Sequence, residues 1–244
     1  MSQLNLINYW KNKKQPVFNN LQCKLCNNVD YKNNYKIFKA PDMFHAGELH
    51  RYQCPKCDVI FGDLRFLNMS KEEISTDYYN LYSFYKEGNT SQYILSVFNM
   101  LEFDKSKVYL DWACGNLTDT LYTLNTNGYN VYGYDKYVEN HHPKFLKDIN
   151  QKFDVIYSSN FIEHVINPIS DLNEVLDHLA SDGKLVMMSA AWEYCCEKTH
   201  YHTFFFINRS VKYLCDKLNI IEIYSKKIIF PDGQFTTCKI FKKK

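Results

Sequence analysis

The chain has no apolar stretch that approaches the about 18 residues a membrane-spanning helix needs. A signal-peptide pattern is also missing from its first residues, because Asn5, Asn8 and Lys11 interrupt every apolar run there. Two classes of protein are therefore disfavoured, those that span a membrane and those that are exported. We expect a cytoplasmic protein with no membrane partner.

Strong charge of either sign is absent as well. Lysine and arginine number 29 against 27 aspartate and glutamate residues, so the net charge is +2 at pH 7. The basic residues are scattered, apart from three lysines at the end of the chain. This balance does not favour nucleic acid or an acidic membrane surface as a partner. It indicates nothing about the oligomeric state.

Size and cysteine usage are compatible with a small module joined to one α/β domain. The chain has 244 residues, of which 45% are hydrophobic, enough to bury a core. It has nine cysteines, an odd number, which fits a reducing compartment better than a disulfide framework.

Four of the cysteines form two Cys-x-x-Cys pairs, Cys23 with Cys26 and Cys54 with Cys57. In such a turn two thiolates converge, and a second pair completes the four-sulfur tetrahedron that zinc accepts. The interval 27–53 between the pairs is longer than is usual for a zinc ribbon. We predict a structural zinc site; the alternatives are a redox dithiol and plain buried cysteines.

Residues 1–65 are predicted to form this zinc-ribbon-like module, with short strands at 35–38 and 49–52. A segment this small needs metal binding to supply the stability that its apolar residues lack. Residues 66–90 are predicted to be a helical, aromatic-rich linker, whose helix opens with a capping box at Ser70 and Glu73. We interpret its aromatic residues as packing groups; a lid over a substrate is the alternative.

Residues 91–244 alternate predicted strands with predicted helices. Strands are expected at 107–111, 131–134, 153–158 and 184–188, and Asp232-Gly233 predicts a hairpin turn near the end. Repeated strand-helix units indicate an α/β fold with a doubly wound, mostly parallel sheet, to which the hairpin adds an antiparallel edge.

Chemistry in such a sheet lies at the carboxyl ends of the strands, and three of these ends carry suggestive residues. A small-residue turn with Asp111, Ala113 and Gly115 follows the first strand. Asp135 ends the second strand, where its carboxylate can accept hydrogen bonds from two hydroxyl groups. The third strand is followed by residues 158–164, which end in Glu163-His164.

In this order, the segments resemble the motifs of class I S-adenosylmethionine-dependent methyltransferases over about residues 90–244. The similar segments are Val108–Gly115, Val131–Asp135, Phe153–Val165 and Asn167–Leu185. An N-terminal four-cysteine module before this domain also resembles a bacterial subgroup associated with modifying sugars or surface polysaccharides. The resemblance implies transfer of a methyl group from S-adenosylmethionine to a small molecule, with a sugar or polysaccharide-precursor hydroxyl favoured.

The resemblance also implies roles for individual residues. Asp111, Ala113 and Gly115 would hold the methionine part of the cofactor, Asp135 the ribose with Lys136 nearby, Asp148 the adenine, and Ser159, Asn160 and Phe161 the wall under the sulfonium. Ala113 and Leu117 stand where the family has glycine, and Leu117 would crowd the cofactor. The interval 136–152 is too short for the usual helix between two strands.

Methyl transfer needs alignment above all, but a hydroxyl acceptor also needs a base. His202, His200 and His164 are the candidates, with His202 favoured because its segment follows the last parallel strand. The alternatives are that His202 packs against Phe204–Phe206 and that His164 braces its loop. A metal at Glu163-His164 is disfavoured, because neighbouring residues on a helix point apart.

Two other classes of function stay open. The first is a non-catalytic module whose cysteine knuckles bind nucleic acid or protein on a degenerate methyltransferase fold, although its basic residues are few. The second is a nicotinamide-dependent oxidoreductase. It is disfavoured because the turn at 111–116 lacks the G-x-G-x-x-G spacing.

Overall fold

The computed structural model describes residues 3–85, 88–115, 119–138 and 141–244. Leu117 lies outside these ranges, so its predicted effect on the cofactor stays untested. By backbone packing the chain forms two compact units: unit 1 (residues 1–87, 162–169 and 190–214) and unit 2 (residues 88–161, 170–189 and 215–244). No helix among the described residues is long and apolar enough to span a bilayer.

Helices and strands are numbered here in chain order. The first half contains α1 (Gln3–Asn12), β1 (Asn20–Gln22), β2 (Val29–Tyr31), a 3-10 helix (Lys32–Asn34), β3 (Lys36–Pro41), β4 (Glu48–Gln53), β5 (Ile60–Phe61), α2 (Leu64–Leu67), α3 (Lys71–Tyr82), α4 (Ser91–Met100), and β6 (Val108–Trp112). The remainder contains α5 (Asp119–Thr126), β7 (Asn130–Tyr134), β8 (Phe153–Ser159), a 3-10 helix (Ile162–His164), α6 (Pro168–Asp177), β9 (Leu179–Ser189), β10 (Phe204–Phe205), α7 (Ser210–Leu218), β11 (Ile220–Ile229) and β12 (Phe235–Lys243).

Unit 1 contains two antiparallel sheets. One is the β1-β2 pair, and the other has the strand order β10-β5-β4-β3. The turn between β3 and β4 is organised by Asp42, whose Oδ2 accepts hydrogen bonds from the backbone N–H groups of Phe44 (3.0 Å) and Ala46 (2.8 Å). The strands predicted at 35–38 and 49–52 are confirmed: they correspond to β3, which begins one residue later than predicted, and to β4. The pairing of β10 with β5 was not predicted.

Helix α3 begins with the capping box that the sequence predicts. The Glu73 N–H donates to Ser70 Oγ (3.2 Å), and the Ser70 N–H donates to Glu73 Oε2 (2.8 Å). The aromatic residues of this helix differ in burial. Tyr78 packs against the unit 1 core, whereas Tyr79 is 73% exposed. The interpretation as packing groups therefore fits Tyr78 and not Tyr79. The predicted boundaries of 1–65, 66–90 and 91–244 stay a prediction about independent folding.

Unit 2 contains one six-stranded sheet with the order β11-β12-β9-β8-β6-β7. Strands β7, β6, β8 and β9 are parallel, and the terminal β11-β12 hairpin is antiparallel. This confirms the predicted fold class. Helix α5 packs closely on β7: a Cβ at Gly133 would lie 2.7 Å from Leu121 Cδ1, so a larger residue there would require the Leu121 side chain to shift. Gly128, which follows α5, has a left-handed backbone with φ +89°, a conformation typical of the end of a helix.

The connection from β7 to β8 lacks the usual helix among its described residues, as the short interval predicts. An extended segment runs along the outer edge of β7 instead. The Gly133 N–H donates to the Lys144 carbonyl (3.1 Å), and the Leu146 N–H donates to the Gly133 carbonyl (2.8 Å). Phe145 forms an isolated parallel bridge with Gly133. The edge of the sheet is therefore partly covered without a further strand.

Candidate functional site

The carboxyl ends of β6 and β7 are tied together by one side chain of unit 2. Asp135, directly after β7, accepts a hydrogen bond at Oδ2 from the Gly115 N–H (3.0 Å). Its Oδ1 accepts from the N–H groups of Tyr137 (2.8 Å) and Val138 (3.0 Å). The turn after β6 is held in a left-handed conformation, with Ala113 at φ +59° and Gly115 at φ +63°. The structure therefore brings together Ala113, Gly115 and Asp135.

Asp111 is a buried carboxyl group on β6, with 4% of its surface exposed. Burial, with a smaller effect from the nearby Asp135 charge, raises the pKa of Asp111 to about 7. The buried hydroxyl of Tyr157 on β8 interacts with this carboxyl group but lacks a partner with hydrogen-bond geometry. Tyr157 therefore joins the candidate site, although the sequence did not indicate it. The one sequence feature that could have indicated Tyr157 is its place near the carboxyl end of β8, two residues before Ser159.

The other predicted cofactor residues lie in unit 2 with differing surroundings. Ser159 at the end of β8 and Phe161 after it are half-buried. Asn160 between them has φ +55° and donates its N–H to the Met188 carbonyl (2.8 Å). Lys136 forms an exposed ion pair with Glu174 (2.9 Å). Asp148 is exposed in the β7–β8 connection. Their roles toward a cofactor stay predictions.

The four predicted zinc ligands of unit 1 lie together and are buried. The Sγ atoms of Cys23 and Cys57 are 3.6 Å apart, as are those of Cys26 and Cys54, and all four lie within 4.8 Å of one another. No disulfide joins them. A zinc ion with Zn–S bonds of about 2.3 Å places its sulfurs about 3.8 Å apart. The cluster therefore fits one tetrahedral zinc ion.

The two cysteine turns have the same backbone form. In the first, Asn27 donates its N–H to the Cys23 carbonyl (3.0 Å); in the second, Asp58 donates to the Cys54 carbonyl (3.0 Å). The residue after each second cysteine has a positive φ, 58° for Asn27 and 67° for Asp58. The repeat explains how two distant pairs present their sulfurs in equivalent ways.

His200, one of the three predicted bases, is fully buried in unit 1. Its Nδ1 lies 3.1 Å from Asp42 Oδ1, its Nε2 lies 3.4 Å from Asp77 Oδ2, and its ring centroid is 4.3 Å from that of Trp10. Burial favours the neutral ring, but the two carboxylates outweigh it and raise the pKa of His200. Both ring nitrogens are engaged and no atom is accessible, which argues for a structural role.

His164 and His202, the other two predicted bases, lie side by side in unit 1 with ring centroids 5.0 Å apart. Burial, with a contribution from His202, lowers the pKa of His164 to about 3. Burial also lowers the pKa of the partly exposed His202 to about 4. A free imidazole in either position is therefore neutral at pH 7, and its titration lies well below the ordinary value of about 6.5.

Glu163 joins these histidines, contrary to the expectation that it points away from His164. The two residues occur in a 3-10 helix rather than an α-helix, and the ligand atoms of Glu163, His164 and His202 lie within 4.8 Å of one another. Glu163 is buried, with 2% of its surface exposed. Among the described residues, this cluster and the four cysteines are the two groups that could hold a metal ion.

Comparisons with known proteins identify one matching family. A family model described as a methyltransferase domain matches residues 88–219. A search of curated proteins found no match.

Several solved structures are similar to the chain. That of Burkholderia thailandensis 1,6-didemethyltoxoflavin-N1-methyltransferase, with bound 1,6-didemethyltoxoflavin and S-adenosylhomocysteine, aligns with a TM-score of 0.51 and 14% identity, covering 80% of this chain and 95% of that chain. Magnesium protoporphyrin IX methyltransferase from Synechocystis PCC 6803 aligns with a TM-score of 0.47 and 15% identity, covering 72% and 98%. At these identities the likeness concerns the fold alone.

Proposed function

The chain belongs to the methyltransferase domain family, and we propose that it transfers the methyl group of S-adenosylmethionine to a small-molecule acceptor. The observation that carries this proposal is the hydrogen bond from the Gly115 N–H to Asp135, which joins the turn after β6 to the end of β7. Ligands of doubly wound sheets bind at this edge, where loops of neighbouring strands meet.

The residues at this edge fit the proposed cofactor chemically. A Cβ built on Gly115 would meet no described atom within 4 Å, so the backbone there leaves space for a ligand. The incompletely paired Tyr157 hydroxyl and the buried Asp111 carboxyl favour a ligand that brings a positive charge or a hydrogen-bond donor. S-adenosylmethionine supplies an electrophilic methyl group on a cationic sulfonium.

We assign roles at this edge as the family pattern implies. Asp111, Ala113 and Gly115 would hold the methionine part, and Asp135 would accept hydrogen bonds from the ribose hydroxyls. Asp135 already accepts three backbone hydrogen bonds, which orient its carboxylate before any ligand arrives. Ser159, Asn160 and Phe161, with Lys136 and Asp148, complete the proposed cofactor contacts.

For the acceptor we propose a hydroxyl group of a sugar or surface-polysaccharide precursor, with His202 or His164 as the base. Neutral imidazoles support this role, because a base must be unprotonated to accept the hydroxyl proton. The similar structure with a TM-score of 0.51 carries the name of an N1-methyltransferase, but its likeness extends only to the fold.

We propose that the four cysteines bind one structural zinc ion. A nucleic-acid-binding role for this module receives less support, because two of its basic residues are engaged elsewhere. Arg51 is fully buried and donates to the Thr199 carbonyl (2.7 Å), and Lys39 pairs with Glu48 (2.9 Å).

Calorimetric titration with S-adenosylhomocysteine tests the proposed site. Asp135→Ala should weaken binding by more than tenfold, because charge-assisted hydrogen bonds to two hydroxyls contribute about 1.5 to 3 kcal/mol. Asp135→Asn keeps one acceptor oxygen and should lie between Asp135→Ala and the unchanged protein.

The matched control is Asp182→Ala, which removes an exposed carboxylate from unit 2 and should leave the affinity unchanged. Circular dichroism checks that every variant is folded. If Asp135→Ala and Asp182→Ala bind S-adenosylhomocysteine equally well, Asp135 does not hold the cofactor. If the unchanged protein binds neither S-adenosylmethionine nor S-adenosylhomocysteine, the proposed function is wrong.

A further inference from the structure

A second group of metal-ligating side chains lies in unit 1, separate from the four cysteines. It comprises Glu163, His164 and His202, whose ligand atoms lie within 4.8 Å of one another. Two imidazoles and one carboxylate form a donor set that suits divalent transition metals.

Backbone carbonyls orient both imidazole rings. His164 Nδ1 lies 3.1 Å from the Tyr201 carbonyl oxygen, and His202 Nδ1 lies 2.7 Å from the Cys196 carbonyl oxygen. A carbonyl only accepts hydrogen bonds, so these contacts favour the tautomer with the proton on Nδ1 and the lone pair on Nε2; the Tyr78 hydroxyl, 3.4 Å from His164 Nδ1, then acts as a second acceptor. Metal-ligating histidines almost always donate their other N–H in this way, which fixes the tautomer and the ring orientation.

The two chain segments that carry these residues are held in register. Thr203, which is fully buried, donates its N–H (2.7 Å) and its hydroxyl (2.9 Å) to the Glu163 carbonyl. The buried guanidinium of Arg51 donates to the carbonyls of Thr199 (2.7 Å) and His202 (3.2 Å). The backbone beside both histidines is therefore positioned by interactions that do not depend on an ion.

We propose that Glu163, His164 and His202 bind a divalent first-row transition-metal ion such as Co²⁺, Fe²⁺ or Zn²⁺. Ligand atoms around such an ion are about 3 to 3.5 Å apart when the bonds are about 2.1 Å long. Separations of up to 4.8 Å therefore require the side chains to close by about an ångström, within the reach of small side-chain rotations.

An occupied site would change the chemistry at this cluster. His164 and His202 would be ligands and could not also act as bases, and the ion would supply Lewis-acid chemistry beside them. Metal binding itself does not depend on the proposed methyl transfer, because its measurement needs neither S-adenosylmethionine nor an acceptor.

Cobalt titration of the full chain carrying only one equivalent of zinc tests this site, because the second site is then not already filled by zinc. Zinc is first bound to the four cysteines, where it resists exchange because Co²⁺ binds such ligands more weakly than Zn²⁺ does. We expect one further equivalent of Co²⁺ per chain, with d–d absorption but without the intense thiolate charge-transfer band that cysteine ligation produces. Glu163→Gln, His164→Ala and His202→Ala should each weaken this binding by at least tenfold.

The matched control is His50→Ala, since His50 also pairs with a carboxylate, Glu48, at 2.7 Å but has no second histidine in that pair. It should bind Co²⁺ like the unchanged protein. Equal cobalt binding by His202→Ala and the unchanged protein, or no further equivalent in the latter, would overturn the proposal.

A second measurement avoids variants that fail to fold. In the unchanged protein, diethyl pyrocarbonate modification mapped by mass spectrometry should be slowed by Co²⁺ at His164 and His202 but not at His50. Modification rates at His164 and His202 that do not respond to Co²⁺ would also reject the site.

Discussion

Ala113 adopts a left-handed backbone conformation, with φ +59°, in the turn after β6. An L-residue in this region costs about 1 kcal/mol or more relative to glycine, whose missing Cβ removes the clash with the backbone. The structure thus shows that the turn has the conformation glycine prefers although alanine occupies it. A strained residue at a proposed binding turn is consistent with a functional position.

We predict that Ala113→Gly raises the free energy of unfolding by up to about 1 kcal/mol, partly offset by the greater freedom of glycine in the unfolded chain. Urea denaturation measures the change. The control is Ala180→Gly in β9, where φ is not positive and glycine should lower stability by about 0.5 to 1 kcal/mol. A similar loss of stability in both variants would show that the turn at Ala113 is not strained.

Asp111 links stability to pH. Its pKa is about 7 in the folded chain against an ordinary value of 3.8, so between these values the folded state holds a proton that the unfolded state has lost. Its contribution to stability is fully present below about pH 4 and is lost as the pH rises through about 7. At higher pH the ionised, buried carboxylate of Asp111 lowers the stability of the folded chain.

Asp111→Asn should therefore gain stability relative to the unchanged protein as the pH rises from 4 to 8. The upper bound is about 4 kcal/mol, because each pKa unit corresponds to about 1.4 kcal/mol. Denaturation at several pH values measures this difference, and titration with S-adenosylmethionine should show weaker binding in the same variant. A stability difference that is constant with pH would mean that Asp111 titrates normally.

His202→Ala tests the proposed base. Turnover should fall by roughly 100-fold or more while cofactor affinity stays within about threefold, because a base acts in the transition state. With a His202 pKa of about 4, activity should reach its plateau by about pH 6 instead of rising through 6.5 as an unperturbed histidine would. Equal losses of turnover and affinity would indicate a packing role for the ring.

At the scale of secondary structure, the two cysteine turns and the strands beside them depend on one another. The strands β1 and β2 have three residues each, too few to hold their turn by hydrogen bonds alone. This dependence reaches a distant strand, because β5, which follows the second cysteine turn, pairs with β10 more than a hundred residues later in the sequence. Loss of a metal from the four cysteines should therefore destabilise β10 as well as residues 1–65.

We predict one zinc ion per chain, lost in Cys57→Ser and retained in Cys196→Ser, a control at an exposed cysteine outside the cluster. Metal analysis measures the zinc content. After chelation, hydrogen exchange should accelerate in β3, β4, β5 and β10, while the unit 2 sheet stays protected by its own core. Freshly purified protein without zinc, or unchanged exchange after chelation, would contradict the assignment.

At the scale of the whole molecule, the recognition of a class I S-adenosylmethionine-dependent methyltransferase with an N-terminal four-cysteine module is confirmed. The family match covers residues 88–219, and the cysteines lie together as the module requires. The proposed cofactor residues all belong to unit 2, whereas the three candidate base histidines all belong to unit 1.

The sequence alone determined the features that depend on local chemistry. Period and turn residues predicted β6 to β9, the capping box of α3 and the hairpin at Asp232-Gly233, because these depend on neighbouring residues. Cys-x-x-Cys spacing likewise identified both cysteine turns, since each turn needs only four residues. The ordered motifs from Asp111 to His164 were sufficient to recognise the family.

Only the tertiary structure decided which distant groups meet. Pairing of β10 with β5, burial of His200 between Asp42 and Asp77, and the meeting of Glu163 with His202 join residues far apart in sequence. No local period or propensity encodes such contacts. The pKa values of Asp111 and His164 follow from the same cause, because burial is a property of the packed chain and not of the residue.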